Sequence, residues 1–140
     1  MAFSNAPQRR FSSLPATECL ALVASHTIGR IGWNASDGPQ ILPVTYVLRD
    51  GVIVFRTSPY GALAELRNAH RVAFEVDDFD VVTRTGWTVL VRGTIQAATD
   101  SDETAGLRTH DELIPWAPGT RNLVLAITPD HVTGRVISSS

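Results

Sequence analysis

The sequence predicts a mainly β domain, an antiparallel barrel with a few inserted helices. Short stretches rich in β-branched and aromatic residues recur along the chain, and clusters of turn residues separate them. Helical patterns are present, but they do not alternate regularly with the strands, which argues against a doubly wound parallel sheet. A chain of 140 residues suits one domain that buries a core without disulfides or metal.

Composition excludes several classes of protein. The net charge of -2 is too close to neutral for a nucleic-acid-binding surface. Cys19 is the only cysteine, which excludes a disulfide framework and a cysteine-based zinc site and fits a reducing cytosol. The longest apolar run, Leu20 to Ala24, is far shorter than the ~20 residues of a spanning helix. We therefore expect a cytoplasmic protein.

The N-terminal region predicts an arm followed by a helix. Residues 1–12 are polar and predict a flexible N-terminal arm, which leaves residues 13–140 as a single domain. Ser13 or Thr17 can start a helix that runs to about Ala24.

A strand, a turn and a hairpin come next. Thr27 to Trp33 reads as a strand, and Asn34 to Pro39 reads as a turn. Ile41 to Leu48 and Val52 to Thr57 are two further strands, and Asp50-Gly51 between them is a strong hairpin signal.

The end of this hairpin predicts an anion site. Ser58 is a suitable N-cap and Pro59 a suitable first residue for a helix that ends near Asn68. A helix N-terminus offers unpaired N–H groups and a positive dipole end. Arg56 and the hydroxyl groups of Thr57 and Ser58 would add charge and hydrogen bonds, so the segment predicts phosphate binding. All twelve Lys+Arg residues are arginine, so any cationic contact must be a guanidinium.

The C-terminal half predicts more strands and one more helix. Strands are expected at Val72 to Val76, at Thr88 to Ala98 and at Leu123 to Thr128, with a sheet extension at Val132 to Ile137. Between the strands at Thr88 to Ala98 and at Leu123 to Thr128, the sequence predicts a helix from Ser101 or Asp102 to about Leu113 and a loop at 115–119.

The usual catalytic and metal-binding signatures are absent. The sequence has no G-x-S-x-G, Walker, G-x-G-x-x-G or C-x-x-C motif, and its four histidines stand singly. The acidic run from Glu75 to Asp80 lacks the spaced ligands of a calcium loop and predicts a solvated loop after a strand. No metal site is expected, and no catalytic residue can be named.

The order of several short motifs resembles one family. The chain is similar to the pyridoxamine 5'-phosphate oxidase-like proteins, the FMN-binding split-barrel family, from about residue 14 to residue 137. The resemblance implies a six-stranded antiparallel split barrel, a homodimer, and a flavin or deazaflavin bound between the subunits. The motifs that carry it are Gly29-Arg30-Ile31, Pro43-Val44-Thr45-Tyr46, Asp50-Gly51, Phe55-Arg56-Thr57, Val72-Ala73-Phe74-Glu75-Val76-Asp77, Gly86-Trp87-Thr88-Val89-Leu90-Val91-Arg92-Gly93, Pro115-Trp116 and Gly134-Arg135.

The resemblance also implies a set of cofactor contacts. The strand from Ile41 to Tyr46 would line the isoalloxazine ring, largely through backbone groups, and Arg56 and Thr57 would contact the ring edge and the phosphate. A basic residue usual in the next helix is replaced by Ala62 and Leu63, so binding would lean on Arg56, Arg67 or backbone N–H groups. The second subunit would contribute the aromatic contacts. The expected cofactor-binding residues are Pro43, Val44, Thr45, Tyr46, Phe55, Arg56, Thr57, Ser58, Ala62, Leu63, Trp87 and Trp116.

Two functions follow from this resemblance. The first is an FMN-binding oxidoreductase that acts on an unknown small molecule, with FAD or a deazaflavin as alternative cofactors. True pyridoxamine phosphate oxidase activity is not expected, because that activity depends on a longer C-terminal segment than the one after Gly134-Arg135. The alternative is a non-catalytic flavin-binding or sensory dimer whose cofactor site is weakened or lost, which Ala62 and Leu63 favour.

Overall fold

The computed structural model describes residues 9–98 and 123–139, which form seven strands, one α-helix and one 3-10 helix. The elements in chain order are β1 (Arg9–Leu14), α1 (Ala16–Ala24), β2 (Ile28–Ala35), β3 (Gly38–Arg49), β4 (Val52–Thr57), a 3-10 helix (Ala62–Arg67), β5 (His70–Asp80), β6 (Thr85–Ala97) and β7 (Leu123–Ser139).

Six of the strands close into a ring. The sheet order is β1-β7-β4-β3-β2-β5-β6, and β6 also pairs with β7, so β2 to β7 form a closed barrel in which every neighbour is antiparallel. β7 pairs with β6 along its length, with β4 at its start and with β1 at its end. The predicted six-stranded antiparallel barrel is confirmed, and β1 is an added seventh strand.

The barrel core consists of side chains from alternate strand positions. On β5, Val72, Phe74 and Val76 are buried while the residues between them are more exposed, as a period of two requires. α1 covers one end of the barrel with Cys19 and Val23, which belong to the same core cluster. In this part of the chain, no helix is long and apolar enough to cross a membrane.

The predicted β3–β4 hairpin is confirmed. Asp50 has a φ of 51° and Gly51 a φ of 78°, so both central turn residues have the positive φ of a type I′ turn. Such turns match the right-handed twist of the flanking strands, and Asp-Gly is a favoured sequence for them.

Two predictions about segments are wrong. Arg9–Leu14 forms β1, so the loose arm does not extend to Ser12, because this segment satisfies its backbone groups by pairing with Gly134 to Ser139 of β7. The acidic run from Glu75 to Asp80 is not a loop but the second half of β5, which remains paired with β6 as far as Asp80. The expected helix at 101–113 and loop at 115–119 lie outside the described residues.

Candidate functional site

A gap opens between β3 and β4 where their pairing ends. The β3–β4 register runs from Arg49↔Val52 to Tyr46↔Phe55 and stops there, whereas β3 remains paired with β2 as far as Gly38. The β4-facing edge of Ile41 to Thr45 therefore has no partner strand within the described part of the chain. We call the space between this edge and the segment from Arg56 to Gly61 the β3–β4 cleft.

Pro43 lies on the unpaired edge of β3. The Tyr46 N–H donates to the Thr27 carbonyl (2.9 Å). The backbone groups of Tyr46, and of every second residue before it in β3, therefore point toward β2. Because these directions alternate, the backbone groups of Ile41, Pro43 and Thr45 point into the cleft. Pro43 has no N–H to donate, which suits it to an unpaired strand edge. The cleft thus presents a wall of backbone donors and acceptors to a ligand.

Arg56 lies on the opposite wall of the cleft. Its strand is paired with β7 at this level, through Arg56↔Val124 and Thr57↔Leu123. The Arg56 Nε is buried and has no hydrogen-bond partner among the described residues. A buried donor without an acceptor costs about 1–3 kcal/mol, so this atom marks a place where an anionic or carbonyl oxygen would fit.

The helix predicted to begin at Ser58 does not form. Ser58 Oγ instead accepts a hydrogen bond from the Tyr60 N–H (3.1 Å), which closes a local turn, and the 3-10 helix starts only at Ala62. Leu63 and Leu66 are both buried, and their spacing of three matches the three residues per turn of a 3-10 helix. The predicted helix start at Ser58-Pro59 is therefore wrong, and a phosphate bound near Arg56 would have no helix N-terminus at Ser58 to contact.

Arg67 supplies a second guanidinium beside the cleft. Its Nη2 donates to the Pro59 carbonyl (2.8 Å) and its Nε donates to the Ala64 carbonyl (3.0 Å). These bonds hold the guanidinium over the turn that follows Arg56 and Thr57. Arg56 and Arg67 together give this end of the cleft positive charge without any helix dipole.

The structure divides the predicted contact residues between two faces of the sheet. Pro43, Thr45 and Arg56 alternate with the core positions and lie on the outer face, while Ser58 is half-buried and Ala62 is exposed. A second group points into the barrel, because successive side chains of a strand alternate between faces. The buried residues are Val44, Tyr46, Phe55, Thr57 and Leu63. Four of these residues lie on strands, and Leu63 belongs to the 3-10 helix.

Trp87 and Arg56 pair with opposite ends of β7. Trp87 pairs with Val136 and Arg56 pairs with Val124. The register between β6 and β7 shifts between these levels, beside Gly93, and such a shift bends a strand. The two residues therefore lie at different levels of one long, bent strand.

Trp87 packs instead beside α1. Its ring meets His26 edge-on, with centroids 4.9 Å apart and an interplanar angle of 86°, and His26 Nε2 lies 3.1 Å from Asp78 Oδ2. A cavity of about 390 Å³ opens between α1 and the barrel at this point, lined by Leu14, Glu18, Ala21, Leu22, Trp87 and Val136. Trp116 lies outside the described residues.

The outer face also carries a polar cluster that the sequence did not reveal. Thr88 Oγ1 donates to Glu75 Oε2 (2.9 Å), and Arg30 Nη1 lies 3.4 Å from Glu75 and 3.6 Å from Asp77. Burial, together with the hydrogen bond and negative charge of Asp77, raises the pKa of Glu75. In the sequence, this cluster is indicated by the polar residues that alternate with the core residues of β5 and β6. No group of His, Cys, Asp and Glu in the described residues could hold a metal.

Comparison with known proteins gives the family. The model of the pyridoxamine 5'-phosphate oxidase family matches residues 15–136. The chain belongs to this family of flavin-binding, barrel-forming proteins.

Individual relatives agree with this assignment. The uncharacterized protein Rv0080 of Mycobacterium tuberculosis is 33% identical over 138 residues, which cover 94% of this chain and 90% of that protein. The structure of an FAD-binding protein from Mycobacterium smegmatis is 31% identical with a TM-score of 0.76, covering 89% of this chain and 97% of its own. A Corynebacterium glutamicum structure, provisionally named a pyridoxamine 5'-phosphate oxidase, is 29% identical with a TM-score of 0.77, covering 99% and 98%.

Proposed function

We propose that this protein binds FMN in the β3–β4 cleft and acts as a flavin-dependent oxidoreductase on a small molecule. The observation that carries the proposal is the buried Arg56 Nε, which has no partner among the described residues and belongs to the strand that borders the unpaired edge of β3. When bound, a flavin supplies hydride or electron transfer, and the protein supplies binding, orientation and shielding.

The residues of the cleft suit the two halves of a flavin nucleotide. The backbone groups of Ile41 and Thr45 are donors and acceptors at spacings that a ring edge with N–H and C=O groups can use. Arg56 and Arg67 offer guanidinium groups to a phosphate, which favours the phosphorylated cofactors over riboflavin. The FAD-binding relative from Mycobacterium smegmatis supports a flavin and leaves FAD as the alternative. A deazaflavin is the third candidate.

We further propose that the protein is a homodimer whose cofactor site needs both chains. Arg56 and Trp87 pair with opposite ends of β7, which supports a site in which the two residues come from different subunits. Exposed apolar residues on the outer surface, among them Phe11 and Ile41 at 67% and 66% exposure, are available for burial against a second chain.

The Arg56→Ala variant tests the phosphate contact. We expect it to weaken FMN binding by about 1.5–3 kcal/mol, the range for a hydrogen bond to a charged group. Binding of riboflavin, which has no phosphate, should change little. Titration with each flavin, followed by fluorescence quenching, measures both affinities. Arg92→Ala is the matched control, since Arg92 is an exposed arginine of β6. Equal losses for FMN and riboflavin would contradict the phosphate role.

A non-catalytic flavin-binding protein is the second candidate. The specific observation in its favour is that Ala62 is exposed and Leu63 is buried in the core, so neither supplies the basic contact usual in the family. Reduction distinguishes the two. Flavin-loaded protein that is bleached by NADH or NADPH supports an oxidoreductase, whereas loaded protein that stays oxidised with both donors supports a binding module. Protein that takes up no flavin contradicts both and supports a dimer that has lost the cofactor site.

A further inference from the structure

A second recess lies on the outer face of the barrel, where β5, β6 and β7 run side by side. It has a volume of about 260 Å³ and is lined by Glu75, Thr88, Leu90, Thr133, Gly134 and Arg135. We call it the β5–β7 groove. The register places Glu75 opposite Leu90, Leu90 opposite Thr133, and Thr88 opposite Arg135, so these side chains occupy two neighbouring rows of one face.

Arg135 gives the groove a free cation. Its guanidinium carbon lies 5.6 Å from the centre of the Phe11 ring, and its side chain is exposed. Within the described residues no carboxylate lies within ion-pair distance of Arg135, in contrast to Arg30 and Arg71. A guanidinium held beside an aromatic ring and not neutralised by a carboxylate is suited to bind an anion.

Glu75 faces the same groove in a different electrostatic setting. Thr88 Oγ1 and Arg30 Nη1 contact its two carboxylate oxygens, and Asp77 shares Arg30 with it. The charged groups around Glu75 are thus Arg30 from β2, Asp77 from β5 itself and Arg135 across the groove from β7. Burial and Asp77 raise the pKa of Glu75, although the hydrogen bond from Thr88 and the charge of Arg30 act in the opposite direction.

We propose that the β5–β7 groove binds a small organic carboxylate. The carboxylate lies on Arg135, and the apolar body lies over Leu90. Leu90 is the apolar floor, and the hydroxyl groups of Thr88 and Thr133 are further polar contacts. A volume of about 260 Å³ limits the ligand to a compact molecule.

The groove lies close enough to the β3–β4 cleft for this ligand to be the substrate. Pro43 pairs with Arg30 and Arg30 pairs with Glu75, so the two sites are two strands apart, about 10 Å at the usual strand spacing. The identification as substrate rests on the proposed flavin chemistry, whereas the binding of a carboxylate does not. The experiment therefore begins with flavin-free protein.

Benzoate is the probe, and its neutral analogue benzamide is the control ligand. Saturation-transfer NMR and calorimetry on flavin-free protein should show that benzoate binds at least roughly tenfold more tightly than benzamide. Arg135→Ala should remove this preference and Arg135→Lys should retain part of it, while Arg92→Ala should bind benzoate as the wild type does. Absence of benzoate binding, or unchanged binding by Arg135→Ala, would overturn the proposal whether or not the protein binds a flavin.

Substitution of Glu75 tests the placement of the ligand. Glu75→Gln removes a negative charge from the groove, so it should bind benzoate at least as well as the wild type, and unchanged thermal unfolding would show that it folds. Weaker benzoate binding by folded Glu75→Gln would overturn the placement of the ligand beside Glu75. Displacement of benzoate by FMN but not by riboflavin would assign Arg135 to the cofactor phosphate and overturn the substrate proposal.

Discussion

Tyr46 joins the barrel to the helix that covers its end. Its ring is fully buried and meets Phe74 edge-on at 5.0 Å, and its hydroxyl donates to the Val23 carbonyl at the end of α1. Burial raises the pKa of Tyr46, which favours the protonated hydroxyl that donates this hydrogen bond. The side chain of Tyr46 thus has a structural role, although its strand borders the β3–β4 cleft.

Removal of that hydroxyl should weaken the fold by a small, measurable amount. Tyr46→Phe should lower the free energy of unfolding by about 0.5–1.5 kcal/mol, since the Val23 carbonyl loses one bond but keeps a longer one from the His26 N–H at 3.3 Å. Urea denaturation measures the change. Tyr60→Phe is the matched control, because Tyr60 is 92% exposed, and it should stay within about 0.5 kcal/mol of the wild type. Equal effects of the two substitutions would contradict the assignment.

For individual residues, the sequence predicts the strand ends that border the cleft correctly, but it does not predict which side chains face the cleft. Arg56 was expected to be the principal cation, and its unpartnered Nε supports that expectation. Thr57 was expected beside it, but it is buried at 3% exposure, because the next residue of a strand faces the other way. Arg67 contacts the Pro59 carbonyl from eight residues away, and such a contact depends on the path of the intervening turn.

β2 contains two glycines whose surroundings differ sharply. A Cβ built at Gly29 would lie 2.3 Å from Cζ of Phe74, a fully buried ring, whereas a Cβ at Gly32 would lie 3.7 Å from its nearest neighbour. The first glycine is required because β2 crosses directly over this ring. The second leaves ordinary van der Waals space.

The two glycines therefore provide a paired test of the packing of β2. Gly29→Ala should lower the free energy of unfolding by about 1–3 kcal/mol, the range for overpacking a core. Gly32→Ala should be neutral or slightly stabilising, because alanine restricts the unfolded chain more than glycine does. Thermal and chemical denaturation of both variants measure the difference. Equal stability of the two would show that Phe74 moves aside without cost.

An ion pair joins β5 to the irregular region of β7. Arg71 donates from both terminal nitrogens to Asp130, one of them at 3.2 Å, and His131 Nδ1 lies 2.8 Å from the same carboxylate. Asp130 stands where the β6–β7 register shifts, next to Gly93 and Pro129. Hydrogen bonds from Arg71 and His131 lower the pKa of Asp130 to about 2.

This lowered pKa predicts how acid affects the pair. A carboxyl group whose pKa is lower in the folded state stabilises the fold above its unfolded pKa, and the stabilisation is lost as the pH falls through the folded value. The thermal midpoint of Asp130→Asn should lie below that of the wild type above about pH 4 and approach it near pH 2. Asp37→Asn, in the β2–β3 turn, is the control. A midpoint difference that is constant with pH would contradict the prediction.

The sequence predicts some secondary-structure elements correctly and others incorrectly. The outcome depends on whether a local pattern or a distant part of the chain determines the element. The type I′ hairpin at Asp50-Gly51 is a local feature, and the sequence predicts it correctly. The pattern at Ser58-Pro59 is local as well, but it serves a turn, because the burial of Leu63 and Leu66 selects a 3-10 helix that starts later. β1 forms only because the far end of the chain is available to pair with it, and no local pattern reveals that.

At the scale of the whole molecule, we propose that the flavin site is shared between two chains. The barrel closes six strands and leaves a split between β3 and β4, so the position of the cleft follows from topology. Because apolar side chains such as Phe11 and Ile41 are exposed on the outer surface, we expect a two-fold dimer that buries at least ~1,200–2,000 Å², the size of a standard interface. Light scattering at micromolar concentration tests this, and a monomer there would rule it out.

Complementation between two defective chains tests whether the site spans the dimer. Trp87→Ala should weaken flavin binding and leave the dimer intact, since an aromatic contact contributes about 0.5–1.5 kcal/mol beyond the area that it buries. Arg56→Ala should weaken FMN binding from the other chain. A heterodimer of the two variants has one site with both Arg56 and Trp87 and one site with neither. Mixing the purified variants should therefore restore wild-type affinity in the heterodimers, at one site in two, whereas each variant alone should have none. If the mixture binds FMN no better than its parents although native mass spectrometry shows that the chains have exchanged, Arg56 and Trp87 do not meet across the interface.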